Sequence, residues 1–182
     1  MFQNNLSLSQ KTRHSRTGPA ESMHARQYAK ALSYFNAALG KGKLARLKSR
    51  VLQRPQSLYD LNALKPDLGL RGRFYSGMHV VPICSIIGSE GRTTDFDRDF
   101  RPLREALRER WVSLAMMYLV PLPLPAIELI QVGDAYFVRD GHHRLSVSRA
   151  FGQLAIDAQV ITWKALPPFP WQSATEEAHQ DE

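Results

Sequence analysis

Near the N-terminus, apolar residues recur at helical intervals. Ala25, Tyr28, Ala29, Leu32, Phe35 and Leu39 mark one face of a helix over about residues 24–39, and Gly40 stands where a C-cap belongs. Leu44, Leu47 and Val51 predict a second helix, stopped by Pro55, with Lys43, Arg46, Lys48, Arg50 and Arg54 on its outer face. Leu58, Leu61 and Leu64 read as a short helical turn leading into a connector. The pattern then shortens. Met78–Pro82 is apolar and strand-like, and Gly88-Ser-Glu-Gly91-Arg92 is a loop entering the acidic run Asp95, Asp97 and Asp99. Pro102 fits the first turn of a helix carrying Leu103, Leu107, Trp111, Leu114 and Tyr118 on one face, and the prolines at 121, 123 and 125 end it in a stiff extended link. Ala126–Val132 and Ala135–Val138 form a hairpin about Gly133-Asp134. A helix from His142 to Phe151, with Gly152 as its cap, and a strand over Ile156–Thr162 complete the pattern.

These elements predict an α/β fold: a small mixed sheet with helices, preceded by a helical N-terminal extension. The divisions expected are a polar, disordered tail over 1–22, a basic helical extension over 23–73, the α/β domain over 74–166 and a loose polar tail over 167–182.

Charge changes the picture. Residues 1–73 hold 14 Lys and Arg against 3 Asp and Glu, while residues 74–182 hold 10 against 14, so the formal net charge of +7 is concentrated in the first part. That asymmetry points to a polyanionic partner, with nucleic acid contacting residues 41–54 as one expectation and a solvated basic face as the other. The single cysteine, Cys84, rules out an intramolecular disulfide. No uninterrupted apolar span of membrane length occurs, and the expectation is a cytoplasmic protein without a membrane partner.

The chemistry gathers at Tyr136-Phe-Val-Arg-Asp140-Gly-His-His-Arg144, where a strand meets a helix. The first turn of a helix leaves backbone N–H groups unpaired and carries partial positive charge, so an anion is welcome there. Gly141 permits a sharp turn and close approach of a ligand. His142, His143 and Arg144 add donors, and the guanidinium fork matches phosphate. With imidazoles titrating near their reference value of about 6.5, phosphate affinity is expected to rise between about pH 7.5 and 6. The alternative is an ordinary Asp-Gly turn in which His142 caps the helix and Arg144 pairs with a carboxylate. Adjacent histidines point about 100° apart on a helix, so a metal site is not expected.

Residues 78–163 resemble the ParB/sulfiredoxin superfamily. The likeness rests on Val81-Pro-Ile-Cys-Ser-Ile-Ile87 and on Val138-Arg-Asp-Gly-His-His-Arg-Leu-Ser-Val-Ser-Arg-Ala-Phe-Gly152. ParB partition proteins carry Gly-Glu-Arg-Arg where this chain has Gly141-His-His-Arg144, and continue into a helix-turn-helix region, so operator-specific partitioning by that architecture is not the expectation here. Sulfiredoxins carry a nucleophilic cysteine at the place of His142, so the resemblance does not imply sulfinic-acid reduction. The motif is most similar to the Asp-Gly-His-His-Arg loop of the free-serine kinases of this fold. That resemblance implies a nucleotide, ATP or CTP with Mg²⁺, held by Asp140, Gly141, His142, His143 and Arg144, with Arg92 neutralising charge. It also implies Glu90 and His143 as candidate catalytic residues, Glu90 as the base, and an ion near Asp95 or Asp97. An exposed loop glutamate is the plain alternative for Glu90. Two functions follow as expectations: a nucleotide-binding protein with phosphotransfer or nucleotide hydrolysis, or a DNA-associated ParB-like module, of partition or nuclease type, that uses its basic N-terminal helices.

Overall fold

The computed structural model describes residues 19–53, 57–120 and 124–172. Six strands form one mixed sheet: β1 (Tyr59–Asp60), β2 (Gly72–Pro82), β3 (Ile86–Ser89), β4 (Ile127–Val132), β5 (Ala135–Asp140) and β6 (Ala155–Lys164). Their order across the sheet is β1-β3-β5-β4-β6-β2. β3 runs parallel to both β1 and β5, and β4 runs parallel to β6, while β4–β5 and β2–β6 are antiparallel. Four helices accompany it: α1 (Pro19–Val51), α2 (Leu61–Leu64), α3 (Arg108–Leu119) and α4 (His142–Ala150). No helix among the described residues is long and apolar enough to cross a membrane.

Alternation along the strands divides the interior into two layers. Ile127 and Leu129 of β4 and Val138 of β5 face Phe35 of α1, Trp111 of α3 and Leu145 of α4. Ile130, Val132 and Phe137 point the other way, onto Leu61, Leu68, Trp163, Phe169 and Trp171. The hairpin and the closing strand thus stand as the alternation predicts.

Four expectations are corrected. Gly40 caps nothing, because α1 is one helix of 33 residues that passes through Gly40 and Gly42. Gly42 is where α1 presses on the loop before α3: a Cβ there would lie 2.8 Å from the Pro102 carbonyl oxygen. Contact through a glycine, with Ala31, Phe35 and Leu39 buried nearby, offsets the cost of about 1 kcal/mol for each glycine in a helix. Pro102 does not open a helix. It sits in a loop where Asp97 Oδ1 accepts the backbone N–H groups of Asp99 and Arg101, and α3 starts at Arg108 after a 3₁₀ turn over Glu105–Leu107.

The sheet also begins before residue 74. β1 adds two residues beside β3, and β2 starts at Gly72, with a bulge between Tyr75 and Gly77 that breaks the alternation. Finally, the chain beyond Pro167 is not loose throughout. Phe169 covers Gly133, Trp171 stacks on Phe169 with ring centroids 5.0 Å apart, and Trp171 Nε1 donates to Asp134 Oδ1 at 3.1 Å. Arg54, Pro55, Gln56, Pro121, Leu122, Pro123, the tail before Pro19 and residues 173–182 lie outside the described residues.

Candidate functional site

The site grows from the end of β5. The strand stops at Asp140, and Gly141 takes φ +95°, a left-handed conformation, before α4 begins at His142. Only glycine fits: a Cβ at Gly141 would lie 2.5 Å from Ile127 Cγ2. The Leu145 N–H reaches the Gly141 carbonyl at 3.0 Å to close the first helical bond, and the N–H groups of the opening turn lack intrahelical acceptors.

Both histidines are buried, 5% exposed at His142 and 6% at His143. Ser89, the last residue of β3, lies 2.7 Å from His142 Nε2 through its hydroxyl oxygen. That oxygen also accepts the N–H groups of Gly91 and Arg92, each at 3.1 Å. With two donors on its lone pairs, the hydroxyl proton is directed to His142, so Nε2 accepts and the imidazole proton is on Nδ1. His143 packs edge-on to Phe96, with centroids 5.5 Å apart, and its Nδ1 is buried without a hydrogen-bond partner.

Burial lowers the pKa of His142 to about 4, assisted by the charge of Arg92. Burial likewise lowers that of His143 to about 4, with Arg110 and then Arg92 contributing. Both rings are therefore neutral at pH 7, and the ordinary titration expected from the sequence is corrected: desolvation and neighbouring guanidinium groups hold it below about pH 5.

Arg92, Arg110, His142, His143 and Arg144 line one cleft of about 430 Å³, beside Asp140 and Gly141. The three arginines play different parts. Arg144 is committed to structure: it pairs with Asp140 Oδ2 at 2.6 Å and donates to the carbonyls of Pro125, at 2.9 Å, and Ala126. That arrangement contains the carboxylate pairing weighed as an alternative, while leaving Arg144 on the cleft wall. Arg92 pairs loosely with Asp95 at 3.4 Å. Arg110, on α3, has no ion pair among the described residues. Sequence reasoning missed it. Its signal was a charge spaced three residues from Leu107 and four from Leu114, on the flank of the buried helix face.

Glu90 is not brought into this cleft. Its carboxylate pairs with Lys65 at 3.1 Å and Arg139 at 3.7 Å, and its carbonyl accepts from the Asn62 amide. Asp95 is held by Arg92 and Arg104, and Asp97 is 4% exposed with Oδ1 bound to backbone N–H groups. Asp97 Oδ2 is buried without a hydrogen bond and has the Arg101 guanidinium at 3.6 Å, so both carboxylates face arginines. Among the described residues, no three His, Cys, Asp or Glu side chains gather as a metal site.

No family model matches this chain, and no curated protein matches it. Among solved structures it is similar to sulfiredoxin from Arabidopsis thaliana, at 22% identity and a TM-score of 0.31, over 46% of this chain and 82% of that one.

Proposed function

We propose that this protein binds the phosphate groups of a nucleotide, ATP or CTP, at the N-terminus of α4. One observation carries the reading: Arg110, without an ion pair among the described residues, converges with Arg92 and the open first turn of α4 on a single cleft. The positive potential of these two arginines is felt by the imidazoles, since both help depress His143. A helix end alone contributes about 0.3–1 kcal/mol to anion binding, against about 8 kcal/mol for micromolar affinity, so the guanidinium groups have to supply much of the difference. The neutral histidines can donate N–H groups without bringing a second layer of charge. Mg²⁺ would enter with the nucleotide, on its phosphate oxygens.

Phosphotransfer or hydrolysis is the second reading, favoured by His143: a neutral ring that lines the same cleft and whose buried Nδ1 has no hydrogen-bond partner among the described residues. In it, Arg92 and Arg110 stabilise charge on the transferred group, and His143 is a candidate proton acceptor. Glu90, tied to Lys65 and Arg139, is the weaker candidate for the base.

Isothermal titration calorimetry of ATP and CTP with Mg²⁺ tests the binding. Arg110→Ala should weaken it at least tenfold, since hydrogen bonds to charged groups contribute about 1.5–3 kcal/mol. Unchanged affinity in both Arg110→Ala and Arg92→Ala would remove the cleft from consideration. Release of inorganic phosphate by wild type, abolished in His143→Gln with binding kept, would select the second reading.

A further inference from the structure

We infer that α1 and the turn over residues 99–101 form a docking surface for the phosphodiester backbone of double-stranded DNA, separate from the nucleotide cleft. At 1.5 Å rise per residue, α1 is about 50 Å long, yet its buried residues cluster at Ala31, Phe35, Leu39 and Gly42. The rest of its surface is open and strongly basic. Between Pro19 and Val51 there are seven Lys and Arg and a single acidic residue, Glu21.

Position along the helix organises these charges. With 100° per residue, Arg26, Lys30, Lys41 and Lys48 fall within a sector about 60° wide and extend about 33 Å along the axis, close to one turn of duplex DNA. All four are exposed. The ammonium groups of Lys30, Lys41 and Lys48 have no ion pair among the described residues.

Beside this row the surface is concave. Lys41, Asp99 and Arg101 line two adjoining clefts, which Arg149 of α4 and Lys48 extend in opposite directions. Asp99 is shared by Arg101 and Arg149, each at 2.8 Å, and Arg101 also pairs with Asp97 at 3.6 Å, so these two guanidinium groups are balanced while Lys41 and Lys48 add charge without an ion pair among the described residues. The surplus is cationic. A strand of phosphates can enter such a groove, whereas a flat bilayer touches only its rims. Of the two aromatic residues lining it, Phe100 is fully buried and Tyr34 is half-buried and stacked on Phe151, so there is no platform for successive unpaired bases. The row therefore fits a duplex read through its backbone, without base contacts.

The test is fluorescence anisotropy of a labelled 20-base-pair duplex with the full chain, across a range of salt concentrations. The variant is Lys30→Gln/Lys41→Gln/Lys48→Gln, whose exposed helix-compatible side chains leave the fold intact, as a thermal melt checks. Arg71→Gln/Arg73→Gln/Lys164→Gln removes the same charge from the start of β2, the residue before it and the end of β6. The first triple should lower affinity at least tenfold and reduce the slope of log K against log salt by about 2.7, at about 0.9 for each phosphate no longer neutralised. The second should leave the slope within about 0.5 of wild type. Equal losses in both triples would reduce the effect to net charge and overturn the proposal. Absence of duplex binding by wild type would do the same, as would binding only to phosphatidylserine vesicles, which would give this surface to a lipid headgroup.

Discussion

The two buried histidines make stability depend on pH in a calculable way. Each has a folded-state pKa of about 4 against an ordinary 6.5. Between those values the unfolded chain binds protons that the folded chain refuses, so stability falls as pH drops through that window and is retained above about pH 6.5. At about 1.4 kcal/mol per unit, each ring costs about 3 kcal/mol once pH is below 4, of which about 2 has been lost by pH 5. For both, the loss between pH 7.5 and 5 is about 4 kcal/mol, against a total of about 5–15 for a typical domain. Asp97 works the opposite way, because burial raises its pKa and the folded state takes up its proton more readily. Urea unfolding of wild type and His142→Gln/His143→Gln at both pH values separates the contributions. Wild type should lose about 4 kcal/mol more than the double variant over this interval. A difference constant to within about 1 kcal/mol would show that the rings titrate normally, and the picture of a dry, positively charged site would fall.

Further perturbations address the loop, the acidic turn and the C-terminal segment. Gly141→Ala should destabilise the fold by about 2–4 kcal/mol in chemical denaturation, through the left-handed φ and the clash with Ile127; a loss under about 0.5 would contradict that geometry. Asp97→Ala deletes both backbone bonds of Oδ1 and should cost about 2–4 kcal/mol. Asp97→Asn, whose amide oxygen can accept the same pair without burying a charge, should cost under about 1, and equal thermal shifts in the two variants would refute the assigned role. Trp171→Ala should destabilise by about 3 kcal/mol, because the ring is 7% exposed and its N–H binds Asp134. A melting temperature equal to wild type would mean the segment contributes no packing.

What the sequence disclosed followed the strength of its local signals. The β4–β5 hairpin and α4 were legible because a two-residue turn, an alternating pattern and a glycine at each end of the helix agree. Those same features placed Gly141, His142, His143 and Arg144 together at the cleft. β1 was illegible, since two residues carry no periodicity and Tyr59–Asp60 becomes a strand only because β3 offers a parallel edge. Gly40 misled because a glycine after an amphipathic run usually ends a helix, while here tertiary contact at Gly42 carries α1 onward. Trp171 was hidden in a polar tail, its partner Asp134 lying 37 residues earlier. Arg110 escaped for a related reason, since it joins the site through packing rather than through a motif.

The cleft's position follows from strand direction. β3 and β5 are parallel neighbours, paired at Ser89 and Val138, so their C-terminal ends emerge along the same edge of the sheet. The loop after Ser89 and the turn at Gly141 are forced together there, and in open α/β sheets this is where ligand crevices form. The Ser89 hydroxyl joins the two ends through His142 while receiving the N–H groups of Gly91 and Arg92. Arg92 is thereby fixed at the mouth by the hydrogen bond that also sets the tautomer of His142. The third cation arrives from another layer: Trp111 Nε1 donates to Ser146 Oγ at 2.9 Å, fastening α3 to α4 one residue from Arg110. Arg110 thereby stands near His143, where its charge depresses the ring further, and an anion entering the cleft would offset that unfavourable pairing.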